Sequence, residues 1–138
     1  MNKIFVDTSG WGNLVDVQQQ FHYETKLIYQ TAKQNGSRLV TTNYVIAELV
    51  ALLTSPLKIP RSKSIDFIES IKTSSLVDII HINESLDSKA WDLLVNRTDK
   101  NWSLVDCSSF VIMQENNISE ALSTDHHFEQ AGFVRLLK

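Results

Sequence analysis

The chain has 138 residues, 43% of them hydrophobic and 21% charged, with a formal net charge of −3. These values suit one globular domain with a sizeable core, exclude a grip on nucleic acid by bulk positive charge, and leave any such role to a local patch or to metal counter-charge. The single cysteine, Cys107, excludes an intrachain disulfide and suits a reducing cytoplasm, while the opening MNKIFVDTSGW has too short an apolar run for a signal peptide and no segment approaches transmembrane length.

Residues 3–7 (KIFVD) read as a short buried strand. A helix is expected over about 22–35, ended by Gly36 as its C′ glycine. Arg38–Thr42 reads as a second strand, and Asn43 is expected to cap a helix over roughly 44–54. Pro56 and Pro60 bracket a connector, after which a helix covers 62–74. Val77–Ile82 is a third strand. Asn83 or Ser85 opens a helix over about 85–97, and Ser103 opens another reaching about Asn116. Glu120–Thr124 and Val134–Leu136 are late strands. Short apolar strands alternating with helices predict an α/β fold whose mostly parallel sheet is covered on both faces.

Four acids stand in apolar surroundings: Asp7 in IFVDTSG, Glu48 in VIAELVALL, Asp106 in SLVDCSSF and Asp125 in ALSTDHHF. A carboxylate in a core segment is costly unless paired or bound to a cation, and these segments contain no Lys or Arg. Sites in open α/β sheets form beyond the carboxyl ends of the strands. Asp7 ends the first strand and Asp125 follows the strand ending near Thr124. Glu48 shares helical spacing with Tyr44, Ala51 and Leu52, which predicts an inward-facing side chain. Asp106 falls in the first turn of the helix opened by Ser103. The four acids are therefore expected to converge at one edge of the sheet. Converging carboxylates repel and would hold protons unless a cation joins them. Oxygen ligands favour Mg²⁺ or Mn²⁺, and such an ion suits hydrolysis of a phosphodiester.

Simpler readings stand beside this one. Asp106 completes a capping box, Ser103-x-x-Asp106. Asp7 and Asp125 are possible turn residues, Asp125 also the N-cap of a helix at 126–131. Glu48 alone is a partly exposed helix position. His126 and His127 read as a polar first turn rather than as ligands or a proton shuttle, because adjacent helical residues face different ways. His22 and His81 carry no motif. Cys107 reads as a small buried hydrophobe, Trp102 as packing beneath the site and Phe110 as core. Lys58, Arg61 and Lys63 around Pro60, and Arg97 with Lys100, are candidates to hold an RNA backbone, against the alternative of an ordinary solvated face.

At these residues the chain resembles the PIN-domain family, specifically the small bacterial PIN ribonucleases of the VapC toxin type. The marks are Asp7-Thr8-Ser9 after the first strand, Glu48 in Ala47-Glu48-Leu49, the run Trp102–Phe110 (WSLVDCSSF) and the run Thr124–Phe133 (TDHHFEQAGF). The resemblance spans essentially the whole chain and implies a single PIN domain over 1–138, with a three-layer α/β/α Rossmann-like fold. It implies Mg²⁺- or Mn²⁺-dependent RNA cleavage, with Asp7, Glu48, Asp106 and Asp125 as the acidic metal centre. Ser9 would support the first aspartate, and Thr124 is a lesser supporting candidate. Many relatives carry a further acid shortly after the last aspartate. His127 stands two positions on, so no fifth acidic ligand is implied. Homodimers are common at this size, and many members are toxins neutralised by a small antitoxin encoded beside them. Two other classes stay open: a non-catalytic RNA-binding or interaction module on the same scaffold, and a phosphotransfer protein with Asp7 as covalent nucleophile. Ser9 occupies the place where a haloacid-dehalogenase-type phosphatase has its second aspartate.

Overall fold

Ile4, Phe5 and Val6 are buried on both sides, as the centre of a covered parallel sheet requires. In the computed structural model, which describes residues 2–138, they belong to β1 (Lys3–Val6). The other strands are β2 (Arg38–Thr42), β3 (Val77–Ile80), β4 (Glu120–Leu122) and β5 (Val134–Arg135). Their order is β3-β2-β1-β4-β5, and every pairing is parallel. The helices are α1 (Thr8–Val15), α2 (His22–Asn35), α3 (Asn43–Thr54), α4 (Arg61–Thr73), α5 (Glu84–Asn96), α6 (Leu104–Glu115) and α7 (His127–Gln130). Helix α1 packs on α2 and α3, and α3 on α4; α5 packs on α6, and α6 on α7. The result is the expected three-layer α/β/α arrangement.

The strand order places a switch between β1 and β4. The chain leaves β1 towards β2 and β3, then returns to the other side of β1 as β4. Such a switch opens a crevice at the carboxyl ends of the two strands. Val6 is in register with Leu122, and the Asp7 N–H donates to the Leu122 carbonyl at 3.2 Å. The residues that leave the sheet there, Asp7 from β1 and Ser123 to Asp125 from β4, emerge side by side.

Several local expectations need correction. Helix α1 was absent from the sequence reading, because Thr, Ser and two glycines in TSGWGNLV make a poor intrinsic helix. Tertiary packing overrides that propensity. A Cβ on Gly10 would lie 2.2 Å from the Leu122 carbonyl oxygen, so a glycine there lets α1 start directly against β4. Asn43 does not cap α3. Thr42 does, its hydroxyl accepting from the Val45 N–H at 3.1 Å, while the Asn43 carboxamide accepts from the Ile82 N–H at 2.7 Å. Strands β3, β4 and β5 each end one or two residues earlier than expected. The cap residue of α7 is His126 rather than Asp125, although the Asp125 carboxylate accepts from the His127 N–H at 2.9 Å. Gly36 ends α2 at φ 68°, and Asn83 rather than Ser85 caps α5, its side chain accepting from the Leu86 N–H.

Candidate active site

Asp7 is 5% exposed and sits at the end of β1, and no cation among the described residues pairs with it. Burial pushes its carboxyl up to about 7, and the charges of Asp106 and Glu48 add to the rise; the Thr8 backbone and the Ser123 hydroxyl oppose it. The influence of Asp106 and Glu48 on Asp7 means that three of the four acids share one electrostatic neighbourhood. Asp125 joins them through Ser123. The Ser123 hydroxyl donates to Asp7 Oδ2 at 3.0 Å and accepts from the Asp125 N–H at 3.0 Å.

Asp106 performs two tasks. Its carboxylate accepts from the Ser103 N–H and its own N–H donates to the Ser103 hydroxyl, both at 3.0 Å, completing the capping box of α6. The same Oδ2 lies 3.1 Å from His127 Nδ1, which in turn lies 3.2 Å from Asp125 Oδ1. The capping reading holds for this residue, and the same carboxylate also reaches His127. His127 faces the acids, whereas His126 points outward with a side chain 63% exposed. The argument that neighbours on a helix face different ways therefore separates the two histidines, and only one of them is peripheral.

Glu48 does not look inward. It is exposed, as are Ala47 and Ala51, and the buried stripe of α3 is instead Val45, Ile46, Leu49 and Leu53. Apolar neighbours in sequence placed the carboxylate on the wrong face, because Ala51 needs no burial. Glu48 nevertheless stays beside Asp7. The Thr8 hydroxyl donates to its Oε1 at 2.5 Å, and Asp7, Glu48 and Asp125 line one open cleft of about 470 Å³. A larger cavity, about 610 Å³ beside Asn43, Lys72 and His81, contains no carboxylate, so volume alone does not mark the site.

The supporting residues differ from those expected. Ser9 does not bond Asp7 directly. Its hydroxyl is 3.2 Å from that of Ser123 and accepts from the Thr124 N–H at 2.9 Å, so its support passes through Ser123. Thr124 contributes backbone groups: its carbonyl accepts from Arg135 at 2.9 Å. Ser123 and Thr8 were missed, and their only sequence signal is adjacency to Thr124 and Asp7. Cys107 is fully buried, and burial with the nearby Asp106 charge pushes its thiol up to about 11, so it is no nucleophile at neutral pH. Trp102 packs edge-on to the buried Phe110, and its indole N–H donates to Gln130.

Lys58, Arg61 and Lys63 are exposed, and among the described residues none of them is in an ion pair. They follow Ser55, which lines the acidic cleft. Arg97, by contrast, is tied to Asp99 at 3.0 Å and lies over the Trp102 ring at 4.9 Å. Lys100 donates its backbone N–H to the Arg97 carbonyl.

An all-parallel sheet with acids gathered at the β1–β4 switch defines a class, and a family model confirms it. The PIN domain model matches residues 4–134, and this chain belongs to that family. The chain is similar to the 23S rRNA-specific endonuclease VapC20 of Mycobacterium tuberculosis, represented from two strains. It is 29% identical over 133 residues, covering 96% of this chain and 97% of the relative. The crystal structure of M. tuberculosis VapC20, described as a sarcin-ricin loop cleaving toxin, superposes with a TM-score of 0.84 over 95% of this chain and 96% of that one.

Proposed function

We propose that this single PIN domain is a Mg²⁺- or Mn²⁺-dependent endoribonuclease toxin of the VapC kind, with Asp7, Glu48, Asp106 and Asp125 holding the ion. The observation that carries the reading is the grouping of these acids around a buried carboxyl that, among the described residues, no Lys or Arg side chain reaches. The residues fit a divalent ion by their chemistry. Asp7 is held up to about 7 by burial and by like charge, the condition that a bound cation relieves, and the acids offer hard oxygen donors. When bound, the ion neutralises phosphate charge and makes water a stronger nucleophile at neutral pH.

The chain's own residues supply the rest. Ser123 holds Asp7 and the Asp125 backbone in fixed relation, and Thr8 fixes Glu48 at the mouth of the cleft. The open side of the cleft admits an RNA strand, and the exposed Lys58, Arg61 and Lys63, which follow cleft-lining Ser55 in the chain, offer positive charge for the backbone. A chain of net charge −3 thus meets a polyanion through one local patch. Arg97 and Lys100 are the lesser candidates, because the Arg97 charge is already paired. With all four acids present and grouped, no observation favours a non-catalytic module.

The similarity to VapC20 supports ribosomal RNA as substrate, with 23S rRNA the first to test. A small antitoxin as partner, a homodimer and a cytoplasmic location complete the proposal, carried over from the family. Trp91 and Val95, one turn apart and half exposed on α5, offer apolar surface for protein contact. No helix among the described residues is long and apolar enough to cross a membrane. Ribosomes incubated with the protein and Mg²⁺ or Mn²⁺, followed by primer extension along 23S rRNA, test the substrate. One discrete stop absent with EDTA is expected; no cleavage of any RNA under either ion would refute the enzyme.

A further inference from the structure

His127 stands between two of the acids, and its position is fixed by the fold. Phe128, next in the chain, is fully buried and packs edge-on against Phe110 with ring centroids 5.1 Å apart. That anchor holds α7 against α6. The His127 N–H is itself held by Asp125 Oδ1 at 2.9 Å. The imidazole is therefore directed into the acid cluster, with Nδ1 3.1 Å from Asp106 Oδ2 and 3.2 Å from Asp125 Oδ1. Its side chain is only 20% exposed.

These separations have a chemical meaning. Two adjacent ligands, each about 2.1 Å from an octahedral ion, stand about 3.0 Å apart. The His127 nitrogen has that spacing to each of the two carboxylate oxygens, one from α6 and one from the turn that opens α7. Asp125, His126 and His127 offer ligand atoms within 4.8 Å of one another, but the His126 side chain is 63% exposed and its Nδ1 is 3.7 Å from Asp125 Oδ1, wider than adjacent ligands stand.

Building on the metal-nuclease reading above, we infer that His127 is a nitrogen ligand of the divalent ion, bound through Nδ1 beside Asp106 and Asp125. The centre is then mixed oxygen and nitrogen rather than all carboxylate. Mg²⁺ takes oxygen ligands almost exclusively, whereas affinity of nitrogen-containing sites rises along the first-row transition ions. A nitrogen ligand therefore biases this centre towards Mn²⁺ over Mg²⁺.

Pulsed electron paramagnetic resonance of the full-length protein loaded with Mn²⁺ reads this directly, since a bound imidazole nitrogen modulates the echo. Nitrogen modulation is expected in the wild type and in His126→Gln, and its loss in His127→Gln. Calorimetry should show Mn²⁺ binding weakened at least about tenfold in His127→Gln, as even groups that merely orient a ligand cost that much, with Mg²⁺ affected less. His127→Asp should shift the preference towards Mg²⁺. Wild-type protein that binds Mn²⁺ without nitrogen modulation overturns the inference, leaving the nuclease reading intact; so does modulation that survives in His127→Gln. Wild-type protein that binds neither ion overturns both. Modulation retained in His126→Gln assigns the nitrogen to His127 even if His127→Gln fails to fold, and modulation lost in His126→Gln overturns the inference.

Discussion

Ser123 donates its hydroxyl to Asp7 across the boundary between β4 and β1, at 3.0 Å. The same oxygen receives the Asp125 N–H, so one small side chain couples the first and last acids of the sequence. Replacing it by alanine removes a hydrogen bond to a buried carboxylate and orphans a backbone donor. Ser123→Ala is expected to lower stability by about 1–3 kcal/mol and to weaken divalent-ion binding. Urea unfolding and metal titration of the two proteins measure both effects.

Asp7 links stability to pH. The folded protein holds its proton up to about 7, whereas the unfolded chain releases it near 3.8. Between those values the folded state binds more protons, so the Asp7 contribution is fully favourable below about 4 and is lost as pH rises through 7. Its upper bound is on the order of 4 kcal/mol. In EDTA, the difference in unfolding free energy between wild type and Asp7→Asn should shift against the wild type from pH 5 to pH 8. Added Mg²⁺ or Mn²⁺ should stabilise the wild type more at pH 8 than at pH 6. A flat difference across this range would contradict the assigned environment of Asp7.

Gly10 and Gly12 predict different outcomes within one helix. A Cβ at Gly10 meets the Leu122 carbonyl oxygen at 2.2 Å, and backbone at the site cannot step aside cheaply. A Cβ at Gly12 meets Leu52 Cδ2 at 3.0 Å, the tip of a flexible side chain. Gly10→Ala should cost about 3 kcal/mol or more through overpacking, and thermal melts should show Gly12→Ala far milder.

Arg135 steadies the segment that presents Asp125. It donates to the Thr124 carbonyl at 2.9 Å and pairs with Glu129 at 2.9 Å, and it is largely buried. Arg135→Met is expected to lower kcat and stability together, the latter by about 1–3 kcal/mol for the unpaired partners left behind. Lys138→Met, whose lysine also reaches Glu129 but is 59% exposed, should change neither appreciably. Parallel melts and cleavage assays separate the two cationic residues.

Much of this architecture was legible in the sequence. A short apolar run marked β1, Arg38–Thr42 was read as β2, Gly36 marked the end of α2, and Ser103 with Asp106 marked the start of α6. Placing Asp7 and Asp125 at strand ends sufficed to bring them together once the strands proved parallel. Three features resisted. Helix α1 depends on Gly10 approaching β4, a contact between residues 10 and 122 that no local propensity encodes. The direction of Glu48 was misread because alanine is as content in water as in a core. The bridging role of His127 depends on where α7 docks, which Phe128 and Phe110 decide together.

The central claim is that the gathered acids make this PIN domain a metal-dependent ribonuclease. Asp106→Asn tests it most directly, because asparagine keeps the volume and an oxygen able to accept the Ser103 N–H, so α6 stays capped. Cleavage of total RNA in Mn²⁺ or Mg²⁺ should be abolished in this variant, with an unchanged circular-dichroism spectrum, and abolished in the wild type by EDTA. Metal-dependent cleavage by Asp106→Asn at the wild-type rate would contradict the account.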